Sequence, residues 1–169
     1  MMFPKESRLL GLLICTLLLV HSGCKNQATE PRIRLTPDFI LLDTVNSEFQ
    51  LSKHNGQVVL LSFFLTTCAV CQSEVPDLKA LYEDYGGEGL TIAGIAVDSA
   101  DPQRVIDYRR AFDIPFRILL DNGVVSIAYG AINSVPVNVI VNRDGWIVYE
   151  TEILNLAEAR KVIELELKN

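Results

Sequence analysis

The chain has 169 residues, enough for one domain with a sizeable core, and its formal charge of −6 reflects 21 acidic residues against 15 Lys and Arg. An acidic chain without a basic cluster is a poor ligand for nucleic acid, so no nucleic-acid partner is expected. Its hydrophobic fraction of 49% is inflated by the N-terminus.

That N-terminus carries Lys5 and Arg8 ahead of LLGLLICTLLLV, an uncharged run from Leu9 to Val20. The run has the length of a signal-peptide core and is short for a membrane span. Ser22 and Gly23 followed by Cys24 resemble a bacterial lipobox, in which the Cys is lipidated and becomes the mature N-terminus, although His21 stands where that motif has Leu. Residues 1–23 are therefore read as a lipoprotein-type signal peptide and Cys24 as the lipidation site that anchors the protein to a bacterial membrane. A conventionally cleaved leader or an uncleaved signal anchor would also place the domain outside the cytoplasm, in the periplasm or at the cell surface. Removing residues 1–23 takes away Lys5, Arg8 and Glu6, a net of +1, so −6 becomes −7. Residues 24–34 have few apolar side chains and read as a tether, with the folded domain expected over 35–169.

Within the domain, FILLD and EFQL flank TVNS and predict an N-terminal β-hairpin. QVVLLSFFL, residues 57–65, is apolar on both alternations and reads as a strand covered on both faces. From Ala69 the spacing changes. Val75, Leu78, Leu81, Tyr82 and Tyr85 mark one face of a helix that GGEG ends, with a kink expected at Pro76. LTIAGIAV is a second buried strand, and Asp101 with Pro102 begins a second helix. PFRILL, a short helix near Val124–Tyr129, a hairpin of VNVIV and WIVYE through NRDG, and a last helix capped by Asn155 with Glu158 complete the order. Strands that alternate with helices and end in a hairpin predict an α/β sandwich around a mixed central sheet flanked by helices.

Four cysteines are present, but Cys15 lies in the leader and Cys24 is the lipidation candidate, which leaves Cys68 and Cys71. The pair sits where the first central strand ends and its helix begins, a place where free N–H groups and the helix dipole favour an anion such as a thiolate. Cys68 is expected to be the exposed nucleophile of lowered pKa and Cys71 the shielded thiol one turn further in. Attack by Cys68 on a substrate disulfide gives a mixed disulfide, which Cys71 then resolves. Half a zinc site is the competing reading, but four ligands are the norm and His54, the one histidine outside the leader, would raise the count only to three. A passive staple is another, although a bridge across so few residues constrains the unfolded chain little. No metal and no cofactor beyond the Cys68–Cys71 disulfide is expected.

PDFILLD, LSKHNGQVVLLSFFLTTCAVCQSEVPDL, VDSAD and YGAINSVPVNVIVNRDGWIV together resemble the TlpA/ResA-like membrane-anchored thioredoxins, from about Pro37 to Leu167. The resemblance implies a thioredoxin-like fold, catalysis by Cys68 and Cys71, and a cis-proline at Pro136, preceded by Val135, that faces the pair and aligns substrate chains. It also implies protein thiol or disulfide substrates, with apocytochrome c among them, and a membrane electron donor. Thr67 stands where the family usually has Trp, Val70 where it usually has Pro, and Ser62 where it often has Asn.

Cys71 must lose its proton to attack, so Glu74 on the active-site helix and Asp98 after the second central strand are candidates for proton transfer, though acids at such positions are more often solvated. Trp146 is read as a hairpin or core residue and His54 as a surface residue. Ala69 and Val70 place no positive charge between the thiols, which favours a reductant. A monomer is expected. Three other functions compete. A Sco-type copper protein would show CxxxC and a distant histidine, whereas no histidine follows His54. A peroxiredoxin would have Thr three residues before its reactive Cys, where this chain has Leu65. A periplasmic binding module would keep its function without either thiol.

Overall fold

The computed structural model describes residues 34–130 and 134–169, so the expected signal peptide, Cys24 and the tether up to residue 33 lie outside the described residues. Strands β1 (Arg34–Leu35), β2 (Ile40–Leu42) and β3 (Glu48–Gln50) come first. They are followed by β4 (Val58–Phe64), helix α1 (Ala69–Tyr85), β5 (Leu90–Ala96), α2 (Pro102–Ala111), β6 (Arg117–Leu120) and α3 (Val124–Ala128). A closing hairpin of β7 (Val137–Val141) and β8 (Trp146–Thr151) leads to α4 (Leu156–Lys168).

Six strands form one sheet in the order β1-β8-β7-β4-β5-β6. β4, β5 and β6 run parallel, and β7 is antiparallel to β4, so the sheet is mixed as expected. Every residue of β4 is buried, because its side chains feed two cores in turn. Val58, Leu60 and Phe64 join α1, α2 and α4 on one face, while Val59, Leu61 and Phe63 join the hairpin and α3 on the other. A continuous apolar run is what such two-sided burial requires.

The expected hairpin is β2 and β3, a separate two-stranded sheet. Its turn covers the free edge of β6, with Thr44 N–H donating to Ile118 O at 3.1 Å. Covering the edge removes a template for intermolecular pairing. The pairing of β1 with β8 is not legible in the sequence, since two residues carry no periodicity, and it brings Arg34 into the sheet.

Helix α1 is unbroken through Pro76, which leaves the Gln72 carbonyl without its usual donor four residues on. The parallel β4 and β5 end side by side, Phe64 opposite Ala96, and this register sets the two segments that follow them face to face.

Candidate active site

The chain leaves β4 at Phe64 and enters α1 at Ala69, with Cys68 as the N-cap in extended conformation. Cys68 N–H donates to Leu65 O at 3.1 Å, which turns the backbone into the helix. The Cys71 N–H, one of the donors a helix start leaves without an intrahelical partner, donates to Cys68 Sγ at 3.1 Å. Cys68 and Cys71 form a disulfide with their Cα atoms 5.3 Å apart. Cys68 is half-buried, whereas Cys71 is only 3% exposed. Val70 between them is 45% exposed and apolar.

At the start of β7 the Val135–Pro136 peptide bond is cis, and the Val135 carbonyl oxygen lies 3.9 Å from Cys68 Sγ. The antiparallel pairing of β7 with β4 brings the two segments together across a sequence separation of 67. His54 is elsewhere. It precedes β4 while Cys68 follows it, so a strand of about 23 Å separates them. Its ring is half-buried and stacks on Phe49 at 4.4 Å, far from any role beside the thiols. Trp146 lies on β8 of the closing hairpin and is exposed, not in the core.

The two acids differ from the solvated residues that their positions in the sequence suggest. Glu74 is 5% exposed. It lies three residues after Cys71, on the same buried stripe of α1. Its Oε2 accepts from Asn138 Nδ2 at 3.0 Å and its Oε1 from the Leu154 N–H at 2.7 Å, so it ties α1 to β7 and to the segment before α4. Asn138 is itself fully buried and pairs with Ser62 across the strands. Glu74, Asn138 and Ser62 thus form a polar layer beneath Cys71.

Asp98 is half-buried and faces Thr66. Both its oxygens accept from the Thr66 N–H, at 3.1 and 3.2 Å, and Oδ2 also accepts from the Thr66 hydroxyl. Gln72 Nε2 donates to Thr66 O at 2.9 Å. All three polar groups of Thr66 are therefore engaged. The sequence gives no single signal for this clamp. It follows from the parallel register, since two residues beyond the Phe64–Ala96 pair are Thr66 and Asp98.

Tyr108 of α2 lines a cavity of about 10 Å³ together with Cys71, Ser62, Val75 and Gly94. Burial raises its phenol to about 12, and the negative charges of Asp98 and then Glu74 push in the same direction. Neither Glu74 nor Asp98 forms an ion pair among the described residues. Among the described residues these carboxyls therefore stand near the thiols without a paired cation, while the N–H groups at the start of α1 act in the opposite sense.

A disulfide that closes one turn of a helix, with one sulfur half-exposed and the other buried, suits exchange chemistry, and the protein is a thiol-disulfide oxidoreductase of thioredoxin-like fold. The chain belongs to the AhpC/TSA family, whose sequence profile matches residues 34–150. Among its relatives, the thiol-disulfide oxidoreductase ResA of Bacillus cereus is 25% identical over 154 residues, covering 86% of this chain and 88% of that protein. ResA of Halalkalibacterium halodurans is 34% identical over 116 residues, 66% of this chain and 62% of the relative. A putative protein disulfide isomerase from Bacteroides thetaiotaomicron superposes with a TM-score of 0.72 at 25% identity, over 80% of this chain and 89% of that one. A putative thiol:disulfide interchange protein DsbE from Chlorobium tepidum, 20% identical, shares the fold with a TM-score of 0.71 over 81% of this chain and 97% of its own.

Proposed function

We propose that the protein reduces disulfides of other proteins outside the cytoplasm while tethered to a membrane through Cys24, and that Cys68 and Cys71 are its catalytic pair. The observation that carries the reading is the unequal burial of two sulfurs at one helix start. In the reduced protein the Cys68 thiolate attacks one sulfur of a substrate disulfide, forming a mixed disulfide and releasing the other substrate sulfur as a thiolate. Cys71 then loses its proton and attacks Cys68 Sγ. The second substrate sulfur leaves, and two electrons have passed from the dithiol to the substrate.

Glu74 suits the proton transfer from Cys71, because it shares the buried face of α1 with that thiol while Asp98 faces the turn before Cys68. The Val135 carbonyl and Pro136 border Cys68 on the side from which a substrate chain approaches. Each turnover leaves the disulfide, so a membrane donor must return two electrons in an oxidising compartment. The disulfide of apocytochrome c, whose reduced thiols then accept haem, is the substrate class that the family resemblance favours.

The test is trapping. Cys71→Ser lacks the resolving thiol and accumulates mixed disulfides with its partners, seen on non-reducing gels after acid quench and alkylation, whereas Cys68→Ser accumulates few. Equal trapping by the two variants would reverse or void the assignment, and the trapped partners name the substrates. Membrane attachment is tested separately, since Cys24→Ser should release the protein into the soluble fraction with its exchange activity intact.

A further inference from the structure

Asp98 has a geometry that proton transfer to Cys71 does not need. Its carboxylate closes on Thr66 through three donated hydrogen bonds, two of them from one N–H. Thr66 is 7% exposed and lies two residues before Cys68, so the carboxylate is tied to a point within about 7 Å of chain from the nucleophile. Gln72 on the first turn of α1 holds the other side of the same residue. On the far side of Asp98, Ser99 donates its hydroxyl to Asp121 O, which fixes the end of β5 to the end of β6. The charge is therefore held in place and cannot swing away from the thiols.

Among the described residues Asp98 forms no ion pair, and the segment between the two cysteines is Ala69 and Val70. A fixed negative charge near a sulfur raises the free energy of the thiolate and leaves the neutral disulfide untouched. The reduced form is thereby disfavoured and the dithiol becomes the stronger electron donor.

We infer that Asp98 is a positioning residue that sets both the shape of the Thr66–Cys68 turn and the reducing strength of the Cys68–Cys71 pair, through its fixed charge and not through proton transfer to Cys71. The inference rests on the reading of Cys68 as the nucleophile. Glu74 on α1 and Tyr108 on α2 also face the site, and the Asp98 charge reaches Tyr108 as well, but among the described residues Asp98 is the one acid bonded to the turn that leads to Cys68.

The experiment equilibrates the full-length protein with glutathione buffers and follows the thiolate absorbance of its reduced form against pH. Asp98→Asn keeps an oxygen to accept from Thr66 and removes the charge. It should shift the equilibrium toward the dithiol by roughly fivefold to tenfold, or about 20 to 30 mV for a two-electron couple, and move the thiolate titration to lower pH. Thr66→Val removes the hydroxyl donor but retains the charge, and it should change the equilibrium by less than about twofold. Asp98→Ser, smaller and neutral, should repeat the direction of Asp98→Asn if the latter folds poorly. An equilibrium unmoved by both neutral variants, or moved toward the disulfide, overturns the inference, as does a shift in Thr66→Val equal to theirs, which would assign the effect to shape. In each of these cases wild-type exchange remains intact. Loss of partner trapping in Cys71→Ser would instead remove the catalytic reading on which the inference stands.

Discussion

Two buried acids, Asp43 in the hairpin and Glu74 beneath the thiols, are treated in opposite ways by the same fold. Asp43 Oδ1 accepts from the N–H groups of Val45 and Ser47, at 3.0 and 2.8 Å, and its Oδ2 pairs with the Arg117 guanidinium at 2.8 Å. Arg117 in turn donates to the carbonyls of Ser47 and Glu48 and lies over the Phe49 ring at 5.3 Å. Every charge in that lock is answered. Glu74 has two neutral donors and no cation among the described residues. The hairpin lock leaves no charge of Asp43 or Arg117 without a partner. On the proposed mechanism the carboxyl left without a cation lies beside a thiol that gains and loses a proton, which is where function would depart from the best stability.

Removing Glu74 should therefore produce the largest loss. Glu74→Ala leaves the Leu154 N–H and Asn138 Nδ2 buried without an acceptor, and each such donor costs about 1–3 kcal/mol, so a loss of about 3 kcal/mol in urea unfolding is expected. Glu74→Gln should cost only about 1 kcal/mol, because Asn138 Oδ1 is buried without a partner and a turned amide could present it to the new NH₂ group. If the carboxylate takes the Cys71 proton, Glu74→Gln should nevertheless slow release of substrate from the mixed disulfide. A loss in Glu74→Gln as large as in Glu74→Ala would show that a neutral amide cannot replace the carboxylate in the polar layer, and a negligible loss in both would show that Glu74 does not hold it.

The contrast also shows what the sequence could reveal. The central strand, the thiol pair at its end, the hairpin and the order of elements were readable because each is written locally, in apolar runs, turn residues and caps. Asp101, for instance, accepts from the Arg104 N–H as the Asp-Pro pair predicts, and Asn155 caps α4 through Ala157 and Glu158. Glu74 stands out in the sequence as a proton-transfer candidate, but its burial is not legible there, because a carboxylate is rarely buried and its partners Asn138 and Leu154 are 64 and 80 residues away. Its position was half legible, since the stripe of Cys71, Val75 and Leu78 includes it. The Thr66–Asp98 clamp needed the register of two parallel strands, which no local pattern records.

Asp43→Ala should rank second. It leaves two N–H groups and the Arg117 guanidinium without their acceptor, for a loss of about 2 kcal/mol. The glutathione equilibrium should stay within about twofold of the wild type, because the hairpin packs on the face of the sheet opposite α1. A change in redox equilibrium as large as that of Asp98→Asn would erase the distinction between the two regions.

The smallest effect is the pH dependence that the lock imposes. Burial pushes the Asp43 carboxyl up, but the N–H groups of Ser47 and Val45 and the Arg117 guanidinium outweigh it, and the net shift is downward. Asp38, which accepts from Ser52 and Gln50, is lowered in the same way against its own burial. For a carboxyl depressed in the folded state, the unfolded chain binds more protons between the two values, so stability rises with pH across that interval. The contribution is complete above the ordinary Asp value of about 3.9 and is lost as pH falls through the lower folded value. Urea unfolding at pH 7 and at steps below pH 4 should therefore show wild-type stability falling in acid, and Asp43→Asn should fall less steeply while starting from a lower value. Parallel curves for the two proteins would mean that Asp43 is not depressed by its partners, and that the lock holds the hairpin by shape and hydrogen bonding without a net electrostatic gain.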